Sequence, residues 1–248
     1  MFDLSNKVAV VTGATRGIGK AIALGLAEAG ADIALIQRNL NEQTKHEIER
    51  KGVQCKIIKC DLSDLDAVDN VVPEVVEKMG TVDILVNNAG IQRRHKAVDF
   101  PMSDWDEVIK VNLTAVWKLC QSAGRVMTEK KSGKIINIAS LVSYQGGVFV
   151  PAYTSAKGAV GQLTKALANE WSSLGVNVNA IVPGYIDTEM NSALIDDEVR
   201  SRQILERIPA NRWGEPSDFV GPALFLASEA SCYVHGHLLA VDGGWLGR

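Results

Sequence analysis

The sequence lacks the features that mark exported, membrane-spanning or nucleic-acid-binding proteins. No apolar run among its 248 residues approaches the ~18 needed to cross a bilayer. The first eleven positions, 1–11, mix charges of both signs and lead directly into a predicted strand, so we expect no signal peptide. Lysine and arginine form no block and the formal net charge is −3, which argues against a surface dedicated to nucleic acid. We therefore expect a cytoplasmic protein that binds a small molecule, with neither a membrane nor a nucleic acid as partner.

Cysteine and histidine are scarce and ungrouped. The four cysteines include no CxxC pair, and three of them lie in apolar surroundings, which favours packing over a metal site or disulfides. A reducing compartment fits this pattern. The four histidines show no ligand spacing, and the pair His235 and His237 near the C-terminus is better explained by a subunit contact than by a metal. We predict no metal site.

What the sequence does contain is a regular alternation of apolar segments and segments with helical spacing. The apolar segments, each bounded by turn residues, predict buried parallel strands at 7–11, 32–37, 54–59, 84–87, 134–138, 176–182 and 238–241. The segments between them predict helices at 17–29, 41–51, 65–79, 103–130, 153–173 and 217–227. The alternation indicates an α/β fold: a single-domain Rossmann-type doubly wound parallel sheet, flanked by helices on both faces and spanning 1–248. The irregular stretch at about 184–209 predicts a substrate loop that holds a short helix of its own.

A glycine-rich turn follows the first strand. Residues 12–19 are TGATRGIG, which places Gly13, Gly17 and Gly19 in GxxxGxG spacing directly before a predicted helix. Glycines permit a tight turn, let the backbone approach a pyrophosphate, and aim the helix N-terminus at negative charge. Such a turn can also be purely structural, but its place between the first strand and a helix favours a dinucleotide site.

Two arginines bear on which dinucleotide is bound. The second strand ends at Ile36, Gln37 and Arg38, where a protein that selects NAD commonly places an acid for the ribose hydroxyls, and no acid is present. Arg38, together with Arg16 in the glycine turn, can meet a 2′-phosphate through charge-assisted hydrogen bonds. The alternative is that both are solvated surface arginines. Our hypothesis is NAD(P) as cofactor, with a preference for NADPH.

A tyrosine and a lysine one helical turn apart are the candidate catalytic pair. Tyr153 and Lys157 stand at the start of a predicted helix in i, i+4 spacing, so they share one face. A free phenol has a pKa near ~10, but an adjacent ammonium favours the phenolate. Ser140 ends a predicted strand and would project its hydroxyl into the crevice, while Asn112 lies mid-helix, where Asn is a poor helix former. Each has a structural alternative, such as a strand-end cap or a self-bonded Asn, yet their joint order downstream of the glycine turn favours function.

These motifs resemble the short-chain dehydrogenase/reductase family over essentially the whole chain. The resemblance is carried by TGATRGIG at 12–19, NNAG at 87–90, Ser140, YTSAK at 153–157, and Pro183 with Gly184. It implies an oxidoreductase with a catalytic tetrad of Asn112, Ser140, Tyr153 and Lys157. It further implies that Lys157 holds the nicotinamide ribose and that Asn112 anchors a proton-relay water. The hydride chemistry would belong to the cofactor, which the protein positions against the substrate carbon.

The same resemblance implies contacts along the rest of the cofactor. Asp61 and Leu62 would contact adenine, Asn88 would support the central strand, and Ile186 with Thr188 would steady the carboxamide. The full predicted cofactor-binding set is Gly13, Thr15, Arg16, Gly17, Ile18, Gly19, Arg38, Asp61, Leu62, Asn88, Ala89, Gly90, Tyr153, Lys157, Pro183, Gly184, Ile186 and Thr188.

A closer resemblance within the family is to its dehydrogenases of small sugar acids, of the 2-deoxy-D-gluconate and 2-dehydro-3-deoxy-D-gluconate type. It is carried by the segments 88–94, 145–147, 206–214 and 240–245. Arg93 or Arg94 can pair with a sugar-acid carboxylate, because guanidinium forks suit that group, and Gln145 can bond hydroxyls. With Ser140 and Tyr153 they form the predicted substrate set, for a sugar acid or polyol. The alternative is that the arginines form salt bridges at a subunit contact.

Two other functions remain open from the sequence. A broad NADPH-dependent carbonyl or 3-oxoacyl reductase would carry the same tetrad, with the sugar-acid features accidental. A dinucleotide-sensing binding protein could use the fold without catalysis, but such proteins commonly lose the tyrosine or the lysine. Finally, the apolar strand at 238–241 and the Trp245 and Leu246 that follow suggest association, and the family resemblance implies a homotetramer of two-fold symmetry.

Overall fold

A computed structural model describes the whole chain, Met1–Arg248, around one seven-stranded sheet. The strands are β1 (Val8–Thr12), β2 (Asp32–Gln37), β3 (Cys55–Lys59), β4 (Ile84–Asn87), β5 (Gly133–Ile138), β6 (Val176–Pro183) and β7 (Leu238–Val241). Every pairing between neighbouring strands is parallel. The predicted doubly wound parallel sheet is therefore confirmed, with strand limits within a residue of those expected.

The strand order, β3-β2-β1-β4-β5-β6-β7, reverses direction beside β1. The chain first moves outward from β1 to β3 and then returns to place β4 on the other side of β1. Loops that follow β1 and β4 consequently leave the sheet in opposite directions, which opens a crevice beyond the carboxyl ends of these two strands. This is the place where a sheet of this kind binds its ligand.

The chain forms ten α-helices, of which all but the two in the segment 184–209 flank the sheet. They are α1 (Gly17–Glu28), α2 (Glu42–Glu49), α3 (Leu65–Asp69), α4 (Val71–Met79), α5 (Met102–Ile109), α6 (Ala115–Glu129), α7 (Pro151–Trp171), α8 (Ser192–Ile195), α9 (Glu198–Arg207) and α10 (Val220–Ala227). None of them is both long and apolar enough to span a membrane.

Alternate residues of β1 contribute to two separate cores. Val8 and Val10 belong to a cluster of 25 buried residues shared with α4, α6 and α7, whereas Ala9 and Val11 belong to one of 23 shared with α1 and α10. All of β1 is buried, as expected for a parallel strand covered on both faces. Burying one Val side chain contributes ~1.5–3 kcal/mol, so a one-residue slip would be costly and the register of the site-bearing strands is fixed.

Two predicted helices are interrupted. The 65–79 segment divides at Asn70, whose side-chain amide donates to the carbonyl of Asp66 at 3.0 Å, and α4 restarts with Pro73 in its first turn, where a missing N–H is tolerated. The 103–130 segment contains a π-helical turn at Lys110–Thr114, which includes Asn112. Such turns occur frequently at functional sites.

The predicted substrate loop at 184–209, here called the lid, lies between β6 and the last helix of the fold. It holds two helices, α8 and α9, rather than the single one expected. Asp197 caps α9, because its carboxylate accepts the backbone N–H of Val199 (3.1 Å) and of Arg200 (3.0 Å). The cap fixes the start of α9 and therefore which side chains its first turn presents.

Candidate active site

A cleft of about 1270 Å³ opens beyond the carboxyl ends of the central strands, beneath the lid. Its lining brings together most of the residues singled out from the sequence: Gly13, Thr15, Arg16, Gly17, Ile18, Asn88, Ala89, Gly90, Arg93, Arg94, Ser140, Gln145, Tyr153, Lys157, Pro183, Gly184, Ile186 and Thr188. Five other predicted site residues do not line it: Gly19, Arg38, Asp61, Leu62 and Asn112.

The glycine turn is held in place by Asn88. The side-chain amide of Asn88 donates to the carbonyl oxygens of Thr12 (3.0 Å) and Gly13 (3.1 Å). A Cβ on Gly19 would lie 2.2 Å from Asn88 Nδ2 and 2.5 Å from Gly13 O, so no side chain fits there. Gly13 and Gly17 adopt φ angles of +66° and +56°, which L residues rarely tolerate. The turn is thus too tight for any residue but glycine at these positions, and it leaves its backbone open to the cleft.

Of the two arginines predicted to meet a 2′-phosphate, Arg16 lines the cleft and Arg38 does not. Arg16 is the N-cap of α1 and forms an ion pair with Glu189 of the lid. Arg38 is exposed directly after β2. The pKa of Asp61 lies below its usual range, mainly because its carboxylate accepts hydrogen bonds from Ser63, with a smaller contribution from the charge of Arg38. Arg38 and Asp61 follow the ends of the neighbouring strands β2 and β3, whose last residues Gln37 and Lys59 pair.

Gln37, the last residue of β2, carries an unsatisfied donor. Its side chain is buried, and its Oε1 accepts the backbone N–H of Asn41 at 2.9 Å, but its Nε2 has no hydrogen-bond partner. A buried unsatisfied donor costs ~1–3 kcal/mol. In the glycine turn, a Cβ would fill the space that a ligand needs. The free Gln37 donor and this turn both suit a dinucleotide bound at the carboxyl ends of β1 and β2.

Tyr153 and Lys157 share one face of α7, as their spacing predicts. Lys157 is 3% exposed, and its Nζ donates to the carbonyl oxygen of Ile138 at 2.5 Å. The same Nζ lies 5.8 Å from the centroid of the Tyr153 ring. Burial lowers the pKa of Lys157 to about 8. The ammonium is thus buried beside the tyrosine without any carboxylate partner.

The phenol of Tyr153 is held in its neutral form. Burial raises its pKa above the ordinary value, and the hydroxyl of Ser140 and the charge of Arg94 oppose this rise. The sequence assigned the opposing charge to Lys157, but here the ammonium of Lys157 is turned toward Ile138. In this structure Ser140 and Arg94 are therefore the groups that lower the pKa of the neutral phenol, while the Lys157 ammonium lies 5.8 Å from the centroid of its ring.

Asn112 acts on the segment that follows β4. It is fully buried within the π-helical turn, and its side chain accepts the backbone N–H of Ile91 (2.9 Å) and donates to the Ile91 carbonyl (2.8 Å). A Cβ on the adjacent Gly90 would lie 3.9 Å from Lys157 Nζ, so this segment passes close to the lysine. Asn112 therefore fixes the wall of the cleft without lining it.

The adjacent residues Arg93 and Arg94 have different surroundings. Arg93 pairs with Glu107 of α5 at 2.8 Å, a salt bridge within the chain. Arg94 donates to Gln92 Oε1 at 2.9 Å and has no ion-pair partner, and its charge acts on Tyr153. Of the two predicted carboxylate partners, only Arg94 is uncommitted to an acid.

The C-terminal segment closes one side of the cleft. Trp245 Nε1 donates to Gln145 Oε1 at 3.3 Å, which leaves the amide N–H groups of Gln145 available. The indole packs against Tyr185, with ring centroids 4.6 Å apart, and Arg207 lies 4.0 Å above it. Trp245, which the sequence suggested for association between subunits, is instead buried inside the chain.

Several lining residues from the lid escaped the sequence analysis. They are Tyr185, Arg200, Gln203, Ile204 and Arg207. The available signal was the spacing of Arg200, Gln203 and Arg207, which places them on one face of a helix. This spacing is informative only once the start and end of α9 are known, and the irregular composition of the lid did not predict them.

The cysteines take no part in the cleft. Cys55, Cys60 and Cys120 are buried and all four thiols are free. Burial raises the pKa of Cys55 and Cys120 to about 12 and that of Cys60 to about 11. No three histidine, cysteine or acidic side chains lie together as a metal site would require.

Comparison with known proteins gives full-length matches. A family model described as enoyl-(acyl carrier protein) reductase matches residues 13–246. The 2-dehydro-3-deoxy-D-gluconate 5-dehydrogenase of Pseudoalteromonas atlantica is 52% identical, and the match covers 100% of this chain and 98% of that relative.

Solved structures agree with these sequence matches. A provisional 2-deoxy-D-gluconate 3-dehydrogenase from Agrobacterium tumefaciens with bound NADP is 48% identical with a TM-score of 0.93, covering 100% of this chain and 99% of the other. A gluconate 5-dehydrogenase from Burkholderia cenocepacia in complex with NADP and tartrate is 39% identical with a TM-score of 0.95, covering 100% and 98%. The likeness therefore extends over the whole sheet and the lid.

Proposed function

We propose, because this chain belongs to the short-chain dehydrogenase/reductase family, that Tyr153, Ser140 and Lys157 act together in its cleft as the catalytic centre. The protein is an oxidoreductase that transfers a hydride between NAD(P) and a small sugar acid, of the 2-deoxy-D-gluconate or 2-dehydro-3-deoxy-D-gluconate type. The observation that carries the residue assignment is that the half-buried Tyr153 and the buried Lys157 line the same cleft as the glycine turn.

The cofactor would be held by residues on both sides of the sheet reversal. The glycine turn and the N-terminus of α1 suit the pyrophosphate, while Lys157 suits the nicotinamide ribose and Ile186 with Thr188 the carboxamide. Asp61 and Leu62, at the end of β3, would contact adenine. When bound, the nicotinamide accepts or supplies the hydride, and the remaining tasks are those of the chain's own groups.

Tyr153 is the residue that we assign to proton exchange with the substrate oxygen. Because its phenol is neutral, it can donate a proton to the oxygen of a carbonyl being reduced, and it recovers one in the reverse direction. The Ser140 hydroxyl would donate a hydrogen bond to the same oxygen. Lys157, with a pKa of about 8, is mostly protonated at neutral pH, so it stabilises the phenolate left behind. Asn112 would anchor the relay water from its place beside Ile91.

A preference for NADPH is supported by the residues at the end of β2 and in the glycine turn. No acid stands at the end of β2 to bind free ribose hydroxyls, whereas Arg38 and Arg16 offer two guanidinium groups for a phosphate. The Agrobacterium tumefaciens and Burkholderia cenocepacia relatives contain NADP. Arg16 would then have to leave its ion pair with Glu189 or share its guanidinium with both anions.

We also propose a homotetramer. Apolar and aromatic side chains remain exposed away from the cleft, including Tyr233 (95%), Leu174 (39%) and Trp117 on α6 (37%). Contact between subunits would remove such surface from water. Sedimentation of micromolar protein should give four chains in one particle, and a stable monomer would contradict the proposal.

One assay tests the function and the cofactor together. Purified protein is supplied with NADP(H) or NAD(H) and with 2-dehydro-3-deoxygluconate, gluconate, sorbose and an acetoacetyl thioester. We expect turnover of a sugar acid, with a higher kcat/KM for NADP(H) than for NAD(H). No turnover of any sugar acid together with rapid reduction of the thioester would favour the broad 3-oxoacyl reductase instead. Strong preference for NAD(H) would remove the role given to Arg38.

A further inference from the structure

Arg200 is a residue of the lid that lines the cleft. It lies in the first turn of α9, where the Asp197 cap holds its backbone N–H at 3.0 Å. Its side chain lines the same cleft as Arg94, Ser140 and Tyr153. Two guanidinium groups from separate elements therefore line this cleft, Arg94 from the wall after β4 and Arg200 from the lid.

The cleft carries a marked excess of positive charge. Its cationic lining residues are Arg16, Arg93, Arg94, Lys157, Arg200 and Arg207, and its acidic ones are Asp187 and Glu189. Glu189 is engaged by Arg16, and Arg93 is neutralised by Glu107. Neither Arg94 nor Arg200 forms an ion pair within the chain, although twelve other lysine, arginine or histidine side chains do.

The two arginines line the same cleft, and the positive charge of Arg200 acts on Arg94. The pKa of Arg94 lies below its usual value, first because of burial and then because of the charge of Arg200. Like charges brought together in a partly desolvated cleft are unfavourable unless an anion lies between them. A carboxylate has two oxygens and about four acceptor positions, so it can receive hydrogen bonds from two guanidinium groups.

We propose that Arg94 and Arg200 form a two-arginine clamp for the carboxylate of the sugar acid, and that pairing with this carboxylate draws α9 of the lid onto the cleft. The inference rests on the proposed function and adds to it a residue that selects the substrate class. The substrate's hydroxyls are left to Gln145, Ser140 and Tyr153. A neutral polyol or ketose lacks the group that relieves the repulsion, so it binds without closing the lid.

The test compares Arg200→Met with Arg202→Met. Arg202 lies on the same helix but is exposed and pairs with Glu206 one turn away, so its replacement serves as the matched control. In Arg200→Met we expect kcat/KM for the sugar acid to fall roughly 10- to 100-fold, the effect typical of losing a charged hydrogen-bond pair. The fall should appear mainly in KM. Turnover of sorbose and the dissociation constant for NADPH should stay within about twofold of the parent protein.

A second readout makes the clamp testable even without turnover. Tartrate, a small dicarboxylate, should raise the melting temperature of the NADPH-loaded parent protein and of Arg202→Met, but not that of Arg200→Met. Arg200→Lys should restore part of the shift, because it keeps the charge but loses the guanidinium fork. An Arg200→Met variant that keeps the parent's KM for the sugar acid and the parent's tartrate shift would overturn the clamp. A parent protein that is stabilised by tartrate but turns over no sugar acid would instead overturn the proposed function.

Discussion

Replacing Tyr153 by phenylalanine is expected to lower kcat for a sugar acid by roughly 10²- to 10⁴-fold, the usual contribution of a positioned general acid or base. The substitution removes the phenol oxygen and leaves the ring between Ser140 and Lys157. Binding of NADPH, followed by nicotinamide fluorescence, should change little, because the glycine turn and Lys157 are intact. The measurement is steady-state turnover alongside that fluorescence titration.

Tyr144→Phe is the matched control for this substitution. Its hydroxyl donates to the Leu238 carbonyl at 3.3 Å, and its ring is half-exposed outside the cleft lining. Removing that hydroxyl should leave kcat unchanged within about twofold, since surface substitutions usually alter free energies by ~0.5 kcal/mol or less. Undiminished activity in Tyr153→Phe would remove the phenol from the mechanism, whereas cofactor binding without turnover of any substrate by the parent protein would favour the dinucleotide-sensing alternative.

Gly19→Ala is expected to destabilise the protein by ~1–3 kcal/mol, the cost of overpacking a close-packed site, and to weaken NADPH binding at least tenfold. The new Cβ would stand 2.2 Å from Asn88 Nδ2 and 2.5 Å from the carbonyl oxygen of Gly13. Relieving this overlap must push Asn88 away from the turn or open the turn itself. Urea unfolding and a fluorescence titration with NADPH measure the two effects.

Gly221→Ala separates this overlap from the general effect of adding a methyl group. Gly221 is exposed in α10, and a Cβ there meets no atom within 4 Å. Alanine favours helix more than glycine by up to ~1 kcal/mol, so this variant should be as stable as the parent or more so. If Gly19→Ala matched Gly221→Ala in both stability and NADPH affinity, the tightness of the glycine turn would not matter.

Much of the fold was predictable because it depends on local patterns that repeat. Continuous apolar runs identify strands buried on both faces, and the turn after β1 is identified by its glycine spacing together with its place between a strand and a helix. The breaks at Asn70 and Asn112 were not predictable in the same way. Each depends on a side-chain amide that finds a backbone partner, at Asp66 and at Ile91, and helical periodicity does not record such contacts.

The surroundings of the arginines that line the cleft could not be predicted from the sequence. Arg93 and Arg94 are adjacent and chemically identical, so their spacing gave no means of distinguishing them. What separates them is Glu107 on α5, which neutralises the first and not the second. Arg200 lies more than a hundred positions away, and only the folded lid brings it to the same cleft as Arg94. Charge balance within a cleft is a property of tertiary structure.

The contact between Asn112 and Ile91 has a consequence for how firmly the wall of the cleft is held. The Asn112 carboxamide uses one N–H and its oxygen toward Ile91, the same kinds of donor and acceptor that the peptide groups of a neighbouring strand would present. The Asn112 side chain therefore gives the segment after β4 the same pair of hydrogen bonds that a neighbouring strand would give it. Aspartate in its place would have the right shape but two acceptors, and it would face the Ile91 carbonyl with negative charge. The segment that carries Gly90 and Arg94 is thus held in place by the side-chain amide of one residue, Asn112.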